Sequence, residues 1–380
     1  MADPTIALLE DLVRIDSVNP SLVPGARGEA EIAGRIAAFC VDSGLTLDIT
    51  EVAPARPNVV AILEGRRPGP TLMLCGHMDT VGVAGMLEPF EPAQRDGRLY
   101  GRGAQDMKGG VAAMLGAAAQ LAREGLPSGR LVVAAVVDEE HASIGADALV
   151  KQWRADAAVV TEPTDLHIGV AHKGFEWITI ETRGRAAHGS RPKDGRDAIL
   201  RMGRVLAQLE ALDRHLQGGR AHALLGTGSL HASMVEGGTE WSSYPGRCSL
   251  QVERRTIPGE AAGCAHREAQ DILDRLRAED PELDADVRDV FGRGPYEIVP
   301  SSPLPQLLAD AGRSCGCRPE MTGLSFWSDA AILGGAGIPT VLFGPGGAGL
   351  HSTEEYVRVE DVLMCRDVLV KLAREFTRAR

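Results

Sequence analysis

Residues 71–80 read TLMLCGHMDT. The run 71–75 carries no charge and no alternation of polar and apolar side chains, as expected of a strand covered on both faces. The same signal recurs at 58–63, 131–138 and 157–161, and helix signals lie at 5–15 and in the alanine-rich run 111–123. Strands alternating with helices predict an α/β domain with helices on both faces of its sheet.

Further along the chain the pattern changes. Strand signals at 175–183, 228–235, 248–253 and 283–290 are interleaved with helix signals at 197–212 and 259–278. That order is β-α-β-β-α-β, the order of a ferredoxin-like α+β module. After about residue 295 the α/β character returns, with a helix at 304–315, a strand at 339–343 and a helix at 360–378. The expected architecture is a discontinuous α/β domain, 1–172 and 293–380, with a small α+β domain, 173–292, inserted in it. No internal repeat or low-complexity segment interrupts this plan.

A chain of 380 residues is too long for one ordinary core, and 44% hydrophobic residues suffice for two. The formal net charge of −12 offers no basic surplus to neutralise phosphates, so neither nucleic acid nor an anionic membrane is an expected partner. The opening residues, MADPTIALLEDLVRID, contain acids and no long apolar run, so neither a signal peptide nor a membrane span is expected. The seven cysteines (40, 75, 248, 264, 315, 317 and 365) are odd in number and scattered. They are read as reduced thiols of a cytoplasmic protein.

Chemistry-bearing residues gather after the expected strands. His77 and Asp79 follow the strand at 71–75, and in extended chain residues i and i+2 share a face. Asp79 can then hold the His77 ring in the tautomer a metal needs, or simply cap an ordinary histidine. Asp106 sits in GRGAQDMKGG (101–110), ahead of the alanine-rich helix. Those glycines let a loop bring a carboxylate to a crowded centre. A phosphate loop is the rival use, but neither glycine-rich phosphate motif fits this register. Asp138, Glu139 and Glu140 follow the strand at 131–137, and Glu162 follows the one at 157–161. Acids at the carboxyl ends of parallel strands lie where α/β sheets place their active sites, though each could also be a solvated loop. His351 arrives late, on the glycine-rich loop GPGGAGLHSTEE (344–355). Two histidines and several carboxylates at separate strand ends form a nitrogen and oxygen set that zinc accepts.

In order and spacing, GHMDTV, GRGAQDMKGG, DEE, TEP and GPGGAGLHSTEEYV closely resemble the M20 metallopeptidase and deacylase family. That family holds acetylornithine deacetylases, succinyl-diaminopimelate desuccinylases and glutamate carboxypeptidases. The likeness covers nearly the whole chain. It implies a zinc-peptidase-like catalytic domain holding two zinc ions per subunit, with cobalt or manganese able to serve. His77 and Glu162 would bind one ion, Glu140 and His351 the other, and Asp106 would bridge them. Asp79 would orient His77, Glu139 would be the general base, and the Asp106–Met107 peptide bond would be cis. The inserted domain would be a lid through which two chains form a homodimer. On it, His188, closing GRAAH (184–188), would stabilise the oxyanion, and Arg255, shortly before Pro258–Gly259, would clamp a substrate carboxylate. The implied reaction is cleavage of the amide bond of a small N-acylated amino acid or peptide-like molecule by metal-activated water. Dipeptidase or carboxypeptidase action, or an inactive metal-binding relative, are the alternatives. One departure bears on substrate: Ser242 stands where many relatives carry Asn in the lid segment GGTEWSSYP (237–245).

Overall fold

A computed structural model describes residues 3–378. It divides into two compact units. One holds the chain up to Val170, then Ile298–Thr322 and the described residues from Ser328 onward; the other holds Ala171–Glu297 and Gly323–Trp327.

The first unit is built on a mixed sheet. In spatial order its strands are Thr46–Ala53, Arg56–Glu64, Arg130–Val136, Thr71–His77, Ala157–Val160, Thr340–Leu342 and the strand that starts at Ile168. The four from Arg130–Val136 to Thr340–Leu342 are mutually parallel, and antiparallel strands flank them. The parallel strands are the apolar runs of the sequence, buried because helices cover the sheet. Helix Gly109–Glu124 joins the first two in chain order and is itself buried on nearly every side. Its start lies so close to the strand after Ala157 that a Cβ on Gly110 would fall 1.9 Å from the Thr161 carbonyl oxygen. Only glycine permits that approach. Leu9, Leu12, Leu115, Val368 and Leu372 share the core with this helix and the sheet.

Several elements escaped the sequence reading. They are helices Ala30–Asp42, Ile144–Gln152 and Ala330–Gly335, strands Thr46–Ala53 and Ile168–His172, and a small sheet of four short strands from Ala93–Arg95 to Tyr356–Arg358. Thr46–Ala53 lies at the sheet edge with no buried residue, so its acids and threonines read as loop.

The second unit has an antiparallel sheet in the order Ser229–Gly237, Arg247–Thr256, Gly174–Arg183, Asp284–Arg293. Helices Ala198–Gln217 and Cys264–Glu279 cover one face, burying Ile178, Ile180, Leu209, Leu250, Val252 and Ile272. The β-α-β-β-α-β order is therefore present. The second helix starts at Cys264 rather than 259, because Gly259 and Gly263 have φ of 84° and 73°, outside the α-helical region. The segment Gly323–Trp327 returns to this unit, where the Lys173 amide donates to the Leu324 carbonyl at 3.2 Å. All seven cysteines are free, and no helix among the described residues is long and apolar enough to cross a membrane.

Candidate metal centre

The four parallel strands of the first unit deliver their chemistry at their carboxyl ends. Thr71–His77 ends on His77 itself. Arg130–Val136 leads into the turn bearing Glu139 and Glu140, Ala157–Val160 into Glu162, and Thr340–Leu342 into the loop that carries His351. Asp106 comes from the loop before helix Gly109–Glu124, and its peptide bond to Met107 is cis, as the resemblance implied.

These side chains converge. His77 Nε2 lies 3.2 Å from Asp106 Oδ1, and 3.9 Å from both Glu139 Oε2 and Glu162 Oε1. His351 Nε2 lies 3.3 Å from Asp106 Oδ2 and 3.2 Å from Glu140 Oε2. Asp106 thus turns one oxygen to each histidine. Two overlapping sets, His77 with Glu139 and Glu162 and His77 with Asp106 and Glu140, have ligand atoms within 4.8 Å of one another, close enough to share an ion. By distance alone Glu139 is as eligible a ligand as Glu162. His77 is 1% exposed, whereas the His351 side chain is 53% exposed.

The electrostatics explain what such a cluster requires. Burial pushes Glu139 well above the ordinary carboxylate range, and Glu162 adds to it. Burial does the same to Glu162 and also raises Glu140, with Asp106 reinforcing both. Burial also opposes ionisation of Asp106, but hydrogen bonds to His351 and His77 outweigh it and hold that carboxyl low. Burial disfavours a charged His77, yet Asp106 and then Glu162 and Glu139 overcome it and raise the ring well above its usual value. Asp106 and Glu140 push His351 up to about 10. The chain without an ion is therefore frustrated: four carboxylates crowd two histidines, and buried Glu140 Oε1 has no hydrogen-bond partner among the described residues. Divalent cations fit that charge and donor set.

Residues 73–375 match the description "Peptidase family M20/M25/M40". The chain belongs to this family. Its M20 relatives include an acetylornithine deacetylase from Myxococcus xanthus, 32% identical over 98% of each chain. They also include a succinyl-diaminopimelate desuccinylase from Gluconacetobacter diazotrophicus, 32% identical over 96% of this chain and 95% of that one. Among solved structures, aminopeptidase PepT from Bacillus cereus shares the fold with a TM-score of 0.81 at 21% identity, covering 98% of each chain. Like its M20 relatives, the chain is a hydrolase of carbon–nitrogen bonds.

Other M20-motif residues are placed less simply. The His77 Nδ1 partner is the Asp79 backbone carbonyl at 2.9 Å, not the Asp79 carboxylate, whose nearer oxygen is 3.7 Å away. The close contact to the ring is thus made by the Asp79 carbonyl, with the carboxylate standing farther off. Its carboxylate accepts from the backbone amides of Glu139 at 3.1 Å and Glu140 at 3.2 Å. His188 and Arg255 lie in the second unit. His188 is exposed on the two-residue strand Ala187–His188, paired with Ser243–Tyr244, and its Nδ1 lies 2.8 Å from Ser190 Oγ. Arg255 pairs with Glu253 and stands over the Phe175 ring, 5.7 Å from its centroid.

Sequence reasoning passed over three supporting groups. Buried Glu355 accepts from the amides of Gly103, Gln105 and Asp106 at 3.0, 2.9 and 3.1 Å. It also accepts from Arg102 Nη1 at 2.6 Å, while Arg102 Nη2 donates to the Ser352 carbonyl at 2.9 Å. One carboxylate so fastens the Asp106 loop to the His351 loop. Asp329, 2% exposed, contributes charge that raises Glu139 and Glu162. Asn19 is buried beside Asp79 and Asp138. Asn19 and Glu355 were hidden by distance along the chain: 60 residues separate Asn19 from Asp79, and 252 separate Gly103 from Glu355.

Proposed function

We propose that this M20 hydrolase removes the acyl group from a small N-acylated amino acid at a two-zinc centre. The observation that carries the reading is the Asp106 carboxylate, with Oδ1 3.2 Å from His77 and Oδ2 3.3 Å from His351. One acid between two histidine-headed sets suits a pair of ions. His77 and Glu162 would hold one, Glu140 and His351 the other, and Asp106 both, with cobalt or manganese also acceptable to this donor set. Bound there, the ions would supply Lewis-acid polarisation and neutralise the carboxylates.

The chain's own groups supply the rest. Glu139 takes the proton of the attacking water on its carboxylate and returns it to the leaving amide nitrogen. Asp79 holds the turn that carries Glu139. His188 donates to the carbonyl oxygen as charge develops on it. Arg255 offers a planar fork to the substrate carboxylate. The exposed His188 ribbon serves the metal centre of a second chain in a homodimer formed through the inserted unit, a two-fold arrangement with a self-complementary interface. Free cysteines support a cytoplasmic setting. The names of the curated relatives, a deacetylase and a desuccinylase, favour acyl removal over peptide cleavage. A panel of N-acyl amino acids and dipeptides, assayed after chelation and again with zinc or cobalt restored, tests the reading. Metal-restored turnover of acyl amino acids is the expected result, and a preference for dipeptides would overturn the substrate assignment.

A further inference from the structure

Asn19 is buried in the first unit and touches the metal centre only through intermediaries. Its amide nitrogen donates to Asp79 Oδ2 at 2.7 Å and to Asp138 Oδ1 at 3.1 Å, bridging two carboxylates with its two hydrogens. Its carbonyl oxygen accepts from the Ser21 amide at 2.8 Å, which fixes which end of the amide faces the acids. The backbone is held too: the Asn19 amide donates to the Thr80 carbonyl at 2.9 Å, and the Thr80 amide to Ser17 at 3.0 Å.

Each carboxylate leads to the same turn. The two oxygens of Asp79 accept from the amides of Glu139 and Glu140. Asp138 immediately precedes them in the left-handed region, φ 70°, and its carbonyl accepts from the amides of His141 and Ala142 at 3.3 and 3.1 Å. Its carboxylate is further held by Arg56 Nη1 at 2.8 Å, and Arg56 Nε donates to Glu29 at 2.8 Å. Two buried acids flanking one turn repel each other, and a neutral residue with two donors at that point relieves the repulsion. An aspartate there would add a third carboxylate, and an alanine would leave both acids short of a donor.

We propose that Asn19 is a positioning residue for the Glu139–Glu140 turn, acting through the carboxylates of Asp79 and Asp138. It fixes where the general base and one metal ligand stand, so the kinetic part of the proposal rests on the two-metal reading above. Substrate does not touch Asn19, so its loss lowers kcat and leaves KM unchanged.

Two measurements test this. The first is independent of turnover: backbone hydrogen exchange of the full metal-free chain, wild type against Asn19→Ala. Exchange across 138–143 should rise about tenfold or more while the Asp106 loop stays at its wild-type rate. Wild-type protection across 138–143, or a uniform rise everywhere, would overturn the proposal. The second is kinetic, on the zinc-loaded enzyme with the best acyl amino acid of the panel. Asn19→Ala should lower kcat about 10- to 100-fold, the range for losing a hydrogen bond to a charged group. The double variant Asn19→Ala/Asp79→Asn should be little worse than Asp79→Asn alone. Losses that multiply, or an unchanged kcat for Asn19→Ala, would overturn it. If Asn19→Ala fails to fold, Asn19→Ser, which keeps one donor, is read by the same criteria. A wild-type enzyme without metal-dependent turnover would refute the two-metal reading, and the exchange measurement would still decide the role of Asn19.

Discussion

His77 and His172 are both buried, at 1% and 0% exposure, and their surroundings drive them in opposite directions. Around His77, in the first unit, burial is overcome by Asp106, Glu162 and Glu139, and the ring's pKa rises. Around His172, in the second unit, burial acts against a single backbone acceptor, the Lys173 carbonyl at 2.9 Å, and the pKa falls to about 4. The rings of Tyr296 and Trp327 stand beside it, with centroids 5.9 and 6.2 Å away. Burial alone therefore says nothing about function. What separates a candidate metal-site histidine from a packing histidine is the charge that shares its cavity.

The strongest way to break the comparison is to remove what the first cavity calls for. Exhaustive chelation, checked by metal analysis, should drop turnover to background, and zinc should restore it. Full activity in verified metal-free protein would mean that the carboxylates around His77 are an ordinary buried cluster. Next in size, Glu139→Ala should lower kcat about 100- to 10,000-fold, the range for a general base, with metal content nearly intact. Glu140→Ala should instead lose metal. Because distances to His77 do not distinguish Glu139 from Glu162, equal metal loss in both variants would move Glu139 from base to ligand.

Much of the first cavity was legible in sequence because His77, Glu139, Glu140 and Glu162 each follow an apolar strand, and strand ends are local features. His77, Glu140 and Glu162 needed only the run before them, and the architecture followed from where helical and alternating patterns change. What could not be read acts across the chain. Glu355 was visible as an acid in a glycine-rich loop, but its bonds to Gly103, Gln105 and Asp106 exist only once two distant loops meet. Asn19 reads locally as a turn residue before Pro20, and the Ser21 amide bond to its side chain is such a turn. For Asp79 the i, i+2 rule places two side chains on one face but does not say whether carbonyl or carboxylate meets the ring. His172 drew no attention because nothing near it in sequence carries a matching acid.

A smaller effect is expected where the candidate group is exposed rather than buried. His188→Ala should cut turnover about 100- to 1000-fold, as for loss of an oxyanion donor, with little change in metal content. Mixing His188→Ala with Glu139→Ala under subunit exchange should restore activity, since one site of each mixed dimer would pair an intact Glu139 with an intact His188 from the other chain. No recovery despite proven exchange would confine His188 to its own chain or remove it from the reaction.

The smallest effect sharpens the contrast from the side of His172. Folded, its pKa is about 4; unfolded, it returns to about 6.5. Between those values the unfolded chain takes a proton that the folded chain refuses, so this residue's contribution to stability falls as pH drops. Its contribution is complete above about 6.5, declines through the interval, and is fully lost below about 4. From pH 7.5 to 5.0 the loss attributable to this one ring should be about 2 kcal/mol. His172→Phe keeps an aromatic ring against Tyr296 and Trp327 but cannot titrate, so its denaturation midpoint should depend less on pH than that of the wild type. Tryptophan fluorescence mainly follows the relevant unit, since Trp177, Trp241 and Trp327 lie in it and only Trp153 lies outside. Run on chelated protein, the comparison cancels the metal-centre carboxylates, which titrate in both chains alike. An unchanged pH dependence in His172→Phe would show that the ring already accepts its proton in the folded state. The difference between the two buried histidines would then lie in metal binding alone and not in their protonation.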